Sequence, residues 1–290
     1  MAGSIAYRFW TGLFLIIAWM PRSVPARETP AAALDYADYA VVLRNHVNEE
    51  GLVHYKNLKA NRQPLDKFVQ SLADLESARY EAWKPADQLA FWINAYNALT
   101  LKALIDHYPI QASLFRSLRF PQNSIRQIPG VWNQLKFKVM GRLMTLDQIE
   151  HHVIRQQFDD PRIHMALVCA AKGCPALRNE PYRGDRLDSQ LEDQVTKFVR
   201  SPSQFRVDRE KKIIDLSKIL DWYGRDFEPK YADPARFPGR SRTESAVLNF
   251  LSRYVEGGIR NLLQDETCRI RYLDYDWSLN EQDEQGQDGF

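Results

Sequence analysis

The chain has 290 residues, 44% of them hydrophobic and 26% charged, so it can bury a substantial core and does not have the composition of a disordered protein. Its formal net charge of +2 at pH 7 provides no basic surplus to hold a phosphate backbone, which argues against nucleic-acid binding.

The first 26 residues have the layout of a secretory leader. Arg8 and the terminal amine precede an apolar run over residues 9–20, which is shorter than the ~20 residues of a membrane-spanning helix. Val24 and Ala26 then fit the −3 and −1 positions of a cleavage site. We predict cleavage after Ala26 and export to the periplasm or the extracellular space, the alternative being an uncleaved N-terminal anchor. The remaining chain has 37 basic and 37 acidic residues and no further apolar run long enough to span a membrane.

Hydrophobic periodicity and turn residues predict helices and short strands along the rest of the chain. Pro85 suits the first turn of a helix, and Thr145 with Gln148 has the capping-box pattern of another helix start. In chain order the sequence predicts helices over 34–47, 65–75 and 85–107, a hairpin over 136–144, a capped helix over 146–158, a buried strand over 163–170, a helix over 187–200, a strand at 213–214, helices over 217–227 and 244–254, and a strand over 269–273.

These elements lack the regular rhythm of a doubly wound sheet. We therefore predict an α+β or irregular α/β fold, a mostly helical single domain over residues 27–280 around a small mixed sheet. Residues 281–290 have the composition of a polar tail.

Two side-chain amides lie within the predicted helix over 85–107. Asn94 and Asn97 fall on one stripe of a helix that is apolar on both sides and therefore buried. A buried amide without partners costs about 1–3 kcal/mol. Asn94 and Asn97 are therefore expected either to tie down neighbouring loop backbone or to orient a catalytic group or bind a ligand.

The predicted helix over 146–158 carries an acid on its apolar face. Glu150 lies among the apolar positions, His151 at the margin of that face, and His152 on the opposite side. A carboxylate in a core must be paired or must raise its pKa, and such groups concentrate at functional sites as well as in structural networks. We predict that Glu150 is buried and paired, and that Glu150 and His151 are candidates for function.

The cysteines follow the predicted strand over 163–170. If that strand is regular, His164 and Cys169 are ~17 Å apart on opposite faces, so His151 is the better base for either sulfur. Cys174 stands on a loop that could open a helix, which would lower the pKa of its thiol. In an oxidising compartment, the three cysteines Cys169, Cys174 and Cys268 suggest one disulfide and one remaining thiol. A Cys169–Cys174 disulfide and a reactive cysteine both stay open.

Seven segments recur together in a known family. They are residues 91–99, 129–132, 146–151, 160–169, 173–175, 216–223 and 275–280. Together, over roughly residues 80–280, they resemble the domain-of-unknown-function 547 family, in its bacterial exported branch. That family has no settled activity, so the resemblance implies only that certain residues match its recurring pattern: Asn94, Asn97, Glu150, His151, His164 and Cys169. Plant relatives carry serine at the position of Cys174, which argues against Cys174 as an obligatory nucleophile.

Three functional hypotheses follow. The first is a thiol-dependent hydrolase or acyltransferase, with Cys169 or Cys174 as nucleophile, a histidine as base, and Glu150 or an asparagine orienting it. The second is a non-catalytic periplasmic binding or assembly module for a small molecule or peptide. The third is a metal site of Glu150, His151 and His164, whose spacing matches no standard zinc motif. The sequence lacks the serine-hydrolase motif, the P-loop of nucleoside-triphosphate-binding proteins and the dinucleotide-binding fingerprint, so no cofactor is expected.

Overall fold

The computed structural model describes residues 1, 3 and 33–283, and its longest element is the helix Pro85–His107. Pro85 begins that helix in its first turn, where a proline removes no hydrogen bond. Every residue from Leu89 to Leu101 is buried, because neighbouring helices and loop segments pack against this helix. The sequence prediction of a buried helix over 85–107 is confirmed.

Helices dominate the part of the chain that the structure describes. The α-helices are α1 (Ala37–His46), α2 (Tyr55–Ala60), α3 (Gln63–Asp74), α4 (Ser77–Glu81), α5 (Pro85–His107), α6 (Leu114–Ser117), α7 (Arg155–Gln157), α8 (Leu187–Arg200), α9 (Lys218–Trp222), α10 (Glu228–Tyr231), α11 (Arg242–Leu251) and α12 (Gly257–Gln264). Tighter 3₁₀ turns occupy Ile125–Gln127, Pro161–Met165 and Gly224–Phe227, and Gln148–Ile154 is a π-helix.

Two small sheets complete the described elements. Strands β1 (Phe137–Val139) and β2 (Arg142–Met144) form the predicted hairpin. Strands β3 (Phe205–Asp208), β4 (Ile213–Leu216) and β5 (Arg269–Tyr272) form a three-stranded sheet. In that sheet β4 pairs antiparallel with β3 and parallel with β5, so the sheet is mixed. The fold is α+β with a helical core, as the sequence predicts.

The buried apolar side chains form two clusters. The larger surrounds α5 and includes residues of α1, α2 and α3. The smaller includes residues of the three-stranded sheet and of α11. Met165 belongs to the smaller cluster although its neighbours Ile163 and Ala166 belong to the larger, and Tyr275 packs against both. The segment around Met165 therefore joins the two clusters.

The predicted strand over 163–170 is wrong. The chain forms a 3₁₀ turn at Pro161–Met165 and then continues as an irregular segment. Asp160 caps this turn by accepting a hydrogen bond from the backbone N–H of Arg162, and Pro161 fixes its first residue. The apolar run is largely buried, as predicted, but none of the described strands pairs with it.

The predicted ends of the chain lie partly outside the described residues. The leader over 1–26 does so almost entirely, as do residues 284–290 of the predicted polar tail. Glu281 and Gln282 are held in place, since Gln282 donates backbone and side-chain hydrogen bonds to carbonyls of the 46–53 segment and Glu281 accepts one from the Tyr108 hydroxyl. No helix within residues 33–283 is long and apolar enough to cross a bilayer.

Candidate functional site

A pocket of about 520 Å³ opens between the two clusters. Its walls include three tryptophans and several tyrosines, and its polar lining includes carboxylates, histidines, arginines and both sulfurs of the 169–174 segment. Five of the seven candidate site residues line it: Glu150, His151, His164, Cys169 and Cys174. Asn94 and Asn97 are not among its lining residues. The structure thus brings together side chains that stand up to 24 positions apart in sequence.

Glu150 reaches the pocket from the π-helix Gln148–Ile154. The predicted capping box is present, because Thr145 and Gln148 exchange side-chain-to-backbone hydrogen bonds of 3.0 and 3.2 Å. Glu150 is only 7% exposed, and its Oε1 accepts a 2.7 Å hydrogen bond from the hydroxyl of Tyr223. The prediction of a buried and paired Glu150 is confirmed, and its partner is a neutral hydroxyl.

Two tyrosines surround that carboxylate. Burial raises the pKa of Tyr223 and of Tyr96 well above the ordinary value, and the charge of Glu150 raises both further. The two phenols therefore stay protonated at neutral pH. A protonated phenol can donate to a carboxylate but cannot act as a base, so Tyr96 and Tyr223 serve Glu150 as donors.

His164 forms the centre of a second polar group. Its side chain is 1% exposed, and its Nε2 lies 2.8 Å from Oδ2 of Asp226. Arg155 donates two hydrogen bonds, of 2.7 and 2.8 Å, to the same carboxylate. The imidazole stacks on the ring of Tyr223 with centroids 4.2 Å apart. This contact joins the His164 group to the Glu150 group.

The burial and charges of this group fix its protonation. Burial lowers the pKa of His164 below its ordinary value, and this effect outweighs the nearby charge of Asp226. Burial alone would raise the pKa of Asp226, but hydrogen bonds from His164 and Arg155 hold that pKa well below its usual range. At neutral pH the group is a neutral imidazole beside an ionised Asp226–Arg155 pair.

His151 lies at the rim of the pocket. Its side chain is 36% exposed, its Nδ1 is 3.0 Å from Nη1 of Arg155, and it is 3.8 Å from Glu150. His152, one residue further, is exposed. The helix phase predicted from the sequence is therefore correct for Glu150, His151 and His152.

The two cysteines of the pocket are joined. Cys169 and Cys174 form a disulfide with their Cα atoms 6.3 Å apart, and Cys268 is a free, buried thiol. The Tyr275 hydroxyl lies 3.1 Å from each sulfur of the disulfide. No helix begins at Cys174, so the predicted helix-terminal activation of its thiol is wrong. While the bond is intact, neither sulfur is a nucleophile.

Asn94 and Asn97 act on backbone. Asn97 donates to the carbonyl of Ala166 and accepts from the N–H of Val168, at 2.9 Å each. Asn94 makes the same pair of bonds to the backbone of Tyr182, at 2.8 and 2.9 Å. Of the two roles left open by the sequence, the structure gives both residues the first, tying down loop backbone. Asn97 nevertheless serves the pocket indirectly, because it holds the segment between His164 and Cys169.

The proposed metal ligands point elsewhere. Within the described part of the chain, no group of three His, Cys, Asp or Glu side chains could hold a metal ion. His164 faces Asp226, and Glu150 faces Tyr223. The residues present do not fit the metal hypothesis.

Sequence reasoning gives no role to Asp226 and Arg155, and it includes Tyr223 and Tyr275 only as parts of family-like segments. Asp226 lies 62 positions from His164, and Tyr275 lies 106 positions from Cys169. A histidine that is predicted to be buried needs a hydrogen-bond partner, but nothing in the local sequence indicates which acid is the partner.

Comparison with known proteins supports the family resemblance and adds no activity. Residues 80–199 match the family described as "Protein of unknown function, DUF547", so the chain resembles that family over this segment. The exported branch of the family stays a prediction. The chain has no significant match among curated proteins or among solved structures. The chemistry of the pocket is therefore the basis for a functional proposal.

Proposed function

We propose that this chain is an exported binding protein whose pocket takes a small molecule or a short peptide segment. The observation that carries the proposal is the convergence, in one pocket of about 520 Å³, of aromatic walls with the buried Glu150 and His164 groups. Binding sites for small ligands are concave, mostly apolar, and contain a few polar groups that fix orientation. In this pocket Glu150 can accept from a ligand donor while Tyr223 holds it in place.

The disulfide favours binding over thiol chemistry. A hydrolase or acyltransferase needs a thiolate, and the Cys169–Cys174 bond removes both candidate sulfurs from that role. The same bond supports export, because disulfides persist in oxidising compartments. The leader pattern over residues 1–26 supports export independently. We therefore set the thiol-hydrolase hypothesis aside in favour of the binding module.

The proposal can be tested with three small probes that share a phenyl ring and differ in charge: phenylacetamide, phenylacetate and phenethylamine. Trp132, Trp222 and Trp277 line the pocket, so their fluorescence reports on its occupancy. We expect at least one probe to give a saturable change with one site per chain.

A matched pair of variants locates that binding. Trp222→Ala removes a pocket wall that is 47% exposed and should weaken binding at least tenfold. Leu143→Ala removes an exposed apolar side chain (65% exposed) on the β1–β2 hairpin, outside the pocket, and should leave affinity within twofold. If no probe binds saturably at millimolar concentration, or if both variants bind like the parent protein, the proposal fails.

A further inference from the structure

One side of the pocket belongs to a stretch of chain without acids. Residues 107–146 contain six lysines and arginines and no aspartate or glutamate, although the whole chain is nearly balanced in charge. Arg116 and Arg126 from this stretch line the pocket. Neither of them, nor the nearby Arg119, has an ion-pair partner among the residues that the structure describes. Positive charge is therefore concentrated here, and no described acid forms an ion pair with it.

The guanidinium of Arg126 packs against three aromatic rings. Its guanidinium carbon lies 4.4 Å from the ring centroid of Phe120, 4.9 Å from that of Trp277 and 5.4 Å from that of Trp132. Such contacts orient the cation but leave its N–H groups free to bind an acceptor. No side-chain hydrogen bond of Arg126 occurs within the described chain. Burial, together with Arg119 and Arg116, lowers the pKa of Arg126.

Arg116 adds a second guanidinium at the same place. Its Nη1 donates a 3.0 Å hydrogen bond to the backbone carbonyl of Arg126, which fixes the two residues side by side. Like charges that approach each other without an acid between them repel, and an anion bound between them would relieve that repulsion. Planar guanidinium groups match carboxylate and phosphate oxygens in geometry as well as in charge.

We propose that Arg126 and Arg116 form an anion-binding end of the pocket, which selects ligands that carry a carboxylate or phosphate on a flat apolar group. The flat group packs among Trp132, Trp222 and Trp277, and the anion lies on the arginine side because Asp147 and Glu150 repel it elsewhere in the pocket. This inference rests on the proposed binding function and gives it a ligand class.

The experiment compares the charge preference of the parent protein with that of arginine variants. Phenylacetate should bind at least tenfold more tightly than phenylacetamide, and phenethylamine should bind most weakly. Added salt should weaken phenylacetate binding and leave phenylacetamide binding unchanged. Phenyl phosphate, compared with phenylacetate, shows which of the two anions the arginines prefer, and inorganic phosphate shows whether the anion suffices without the ring.

Variants assign the preference to the arginines. Arg126→Gln, Arg116→Gln and the double variant should bring phenylacetate to within about twofold of phenylacetamide, and Arg126→Lys should keep part of the preference. Arg200→Gln, an exposed arginine at the end of α8, is the matched control and should change nothing. Phenylacetamide affinity should stay within twofold in every variant, which shows that the pocket is still folded.

The outcomes separate the two proposals. Equal affinity of the parent protein for phenylacetate and phenylacetamide overturns the anion site and leaves the binding pocket standing. A preference for phenylacetate that survives in the double variant also overturns it, because the anion then binds elsewhere. If none of the three phenyl probes binds, the proposed function itself fails and the anion site fails with it.

Discussion

The carboxylate of Glu150 is stabilised largely by neutral donors. Its nearest hydrogen-bond partner is the Tyr223 hydroxyl at 2.7 Å, and its nearest cationic candidate is His151 at 3.8 Å. Removing one partner of a buried charged pair costs more than removing one partner of a hydrogen bond to a neutral group. The effect of losing Glu150 should therefore be moderate.

We predict that Glu150→Ala lowers the free energy of unfolding by about 1–3 kcal/mol, because it leaves the Tyr223 hydroxyl without an acceptor. Glu150→Gln keeps an acceptor oxygen and should cost less. The exposed neighbour provides the control, since His152→Ala should change stability by less than ~0.5 kcal/mol. Urea unfolding measures all three, and equal small effects of Glu150→Ala and His152→Ala would contradict the burial of this carboxylate.

His164 makes stability depend on pH. In the unfolded chain a histidine takes up its proton near pH 6.5, whereas burial lowers the pKa of His164 in the folded protein. Between these two pKa values the unfolded chain binds more protons, so the free energy of unfolding decreases as pH falls below about 6.5. Asp226 lowers the free energy of unfolding further at still lower pH, because its pKa in the folded protein lies below the ordinary value near 3.9.

We predict that His164→Asn flattens the pH dependence of unfolding between pH 7.5 and 5.5. Part of the slope should remain, because burial also lowers the pKa of His46. Urea unfolding at intervals of pH measures the slope, with His152→Asn as the exposed control. A slope in His164→Asn equal to that of the parent protein would mean that His164 titrates alike in both states.

At the scale of elements, the sequence predicts those whose pattern repeats over many residues. Helices α8 and α5 have the predicted bounds, because their 14 and 23 residues are long enough to show a hydrophobic periodicity. The sequence predicts a strand over 163–170, where the chain has the end of a 3₁₀ turn and an irregular segment, because a short run of apolar residues does not distinguish these conformations. The sequence does not predict α2 and α12, because 6 and 8 residues are too few to show a clear periodicity.

The irregular segment after Met165 also depends on distant side chains. Asn97 from α5 bonds the backbone of Ala166 and Val168, and Gln194 from α8 bonds the carbonyl of Met165 at 3.1 Å. These amides satisfy buried backbone groups that a strand would satisfy with its neighbours. Nothing in the local sequence of the segment reveals such partners. The burial of Glu150 follows from its position on a helix and is therefore visible in the local sequence. Asp226 is 62 positions from His164, so the local sequence does not reveal it as a partner.

We predict that Asn97→Ala and Asn94→Ala destabilise the protein similarly, by about 2–4 kcal/mol, since each leaves two buried backbone groups unpaired. Their effects on the pocket should differ. Asn97→Ala releases the segment between His164 and Cys169 and should weaken probe binding at least fivefold, whereas Asn94→Ala should leave it within twofold. Fluorescence titration below the unfolding transition measures the affinities, and equal affinities of the two variants would show that the Asn97 hydrogen bonds do not shape the pocket.

At the scale of the whole molecule, export and the disulfide belong together. We predict that protein recovered from a periplasmic fraction starts near Arg27 and has the mass of a chain with one disulfide and one free thiol. Non-reducing peptide mapping should find Cys169 joined to Cys174, with Cys268 alkylated after unfolding. A full-length product in the cytosol would contradict export, and alkylation of Cys169 or Cys174 in native protein would restore the thiol hypothesis.

Several partners of the buried polar groups lie beyond residues 80–199, the segment that the family model matches. Residues 80–199 supply Glu150, His164 and both sulfurs, but Tyr223, Asp226 and Tyr275 follow it in the chain. A fragment ending at residue 199 would keep these groups and lose Tyr223, Asp226 and Tyr275, which contact them. The segment that the family model matches is therefore shorter than the segment that forms this site, which extends from Tyr96 to Trp277.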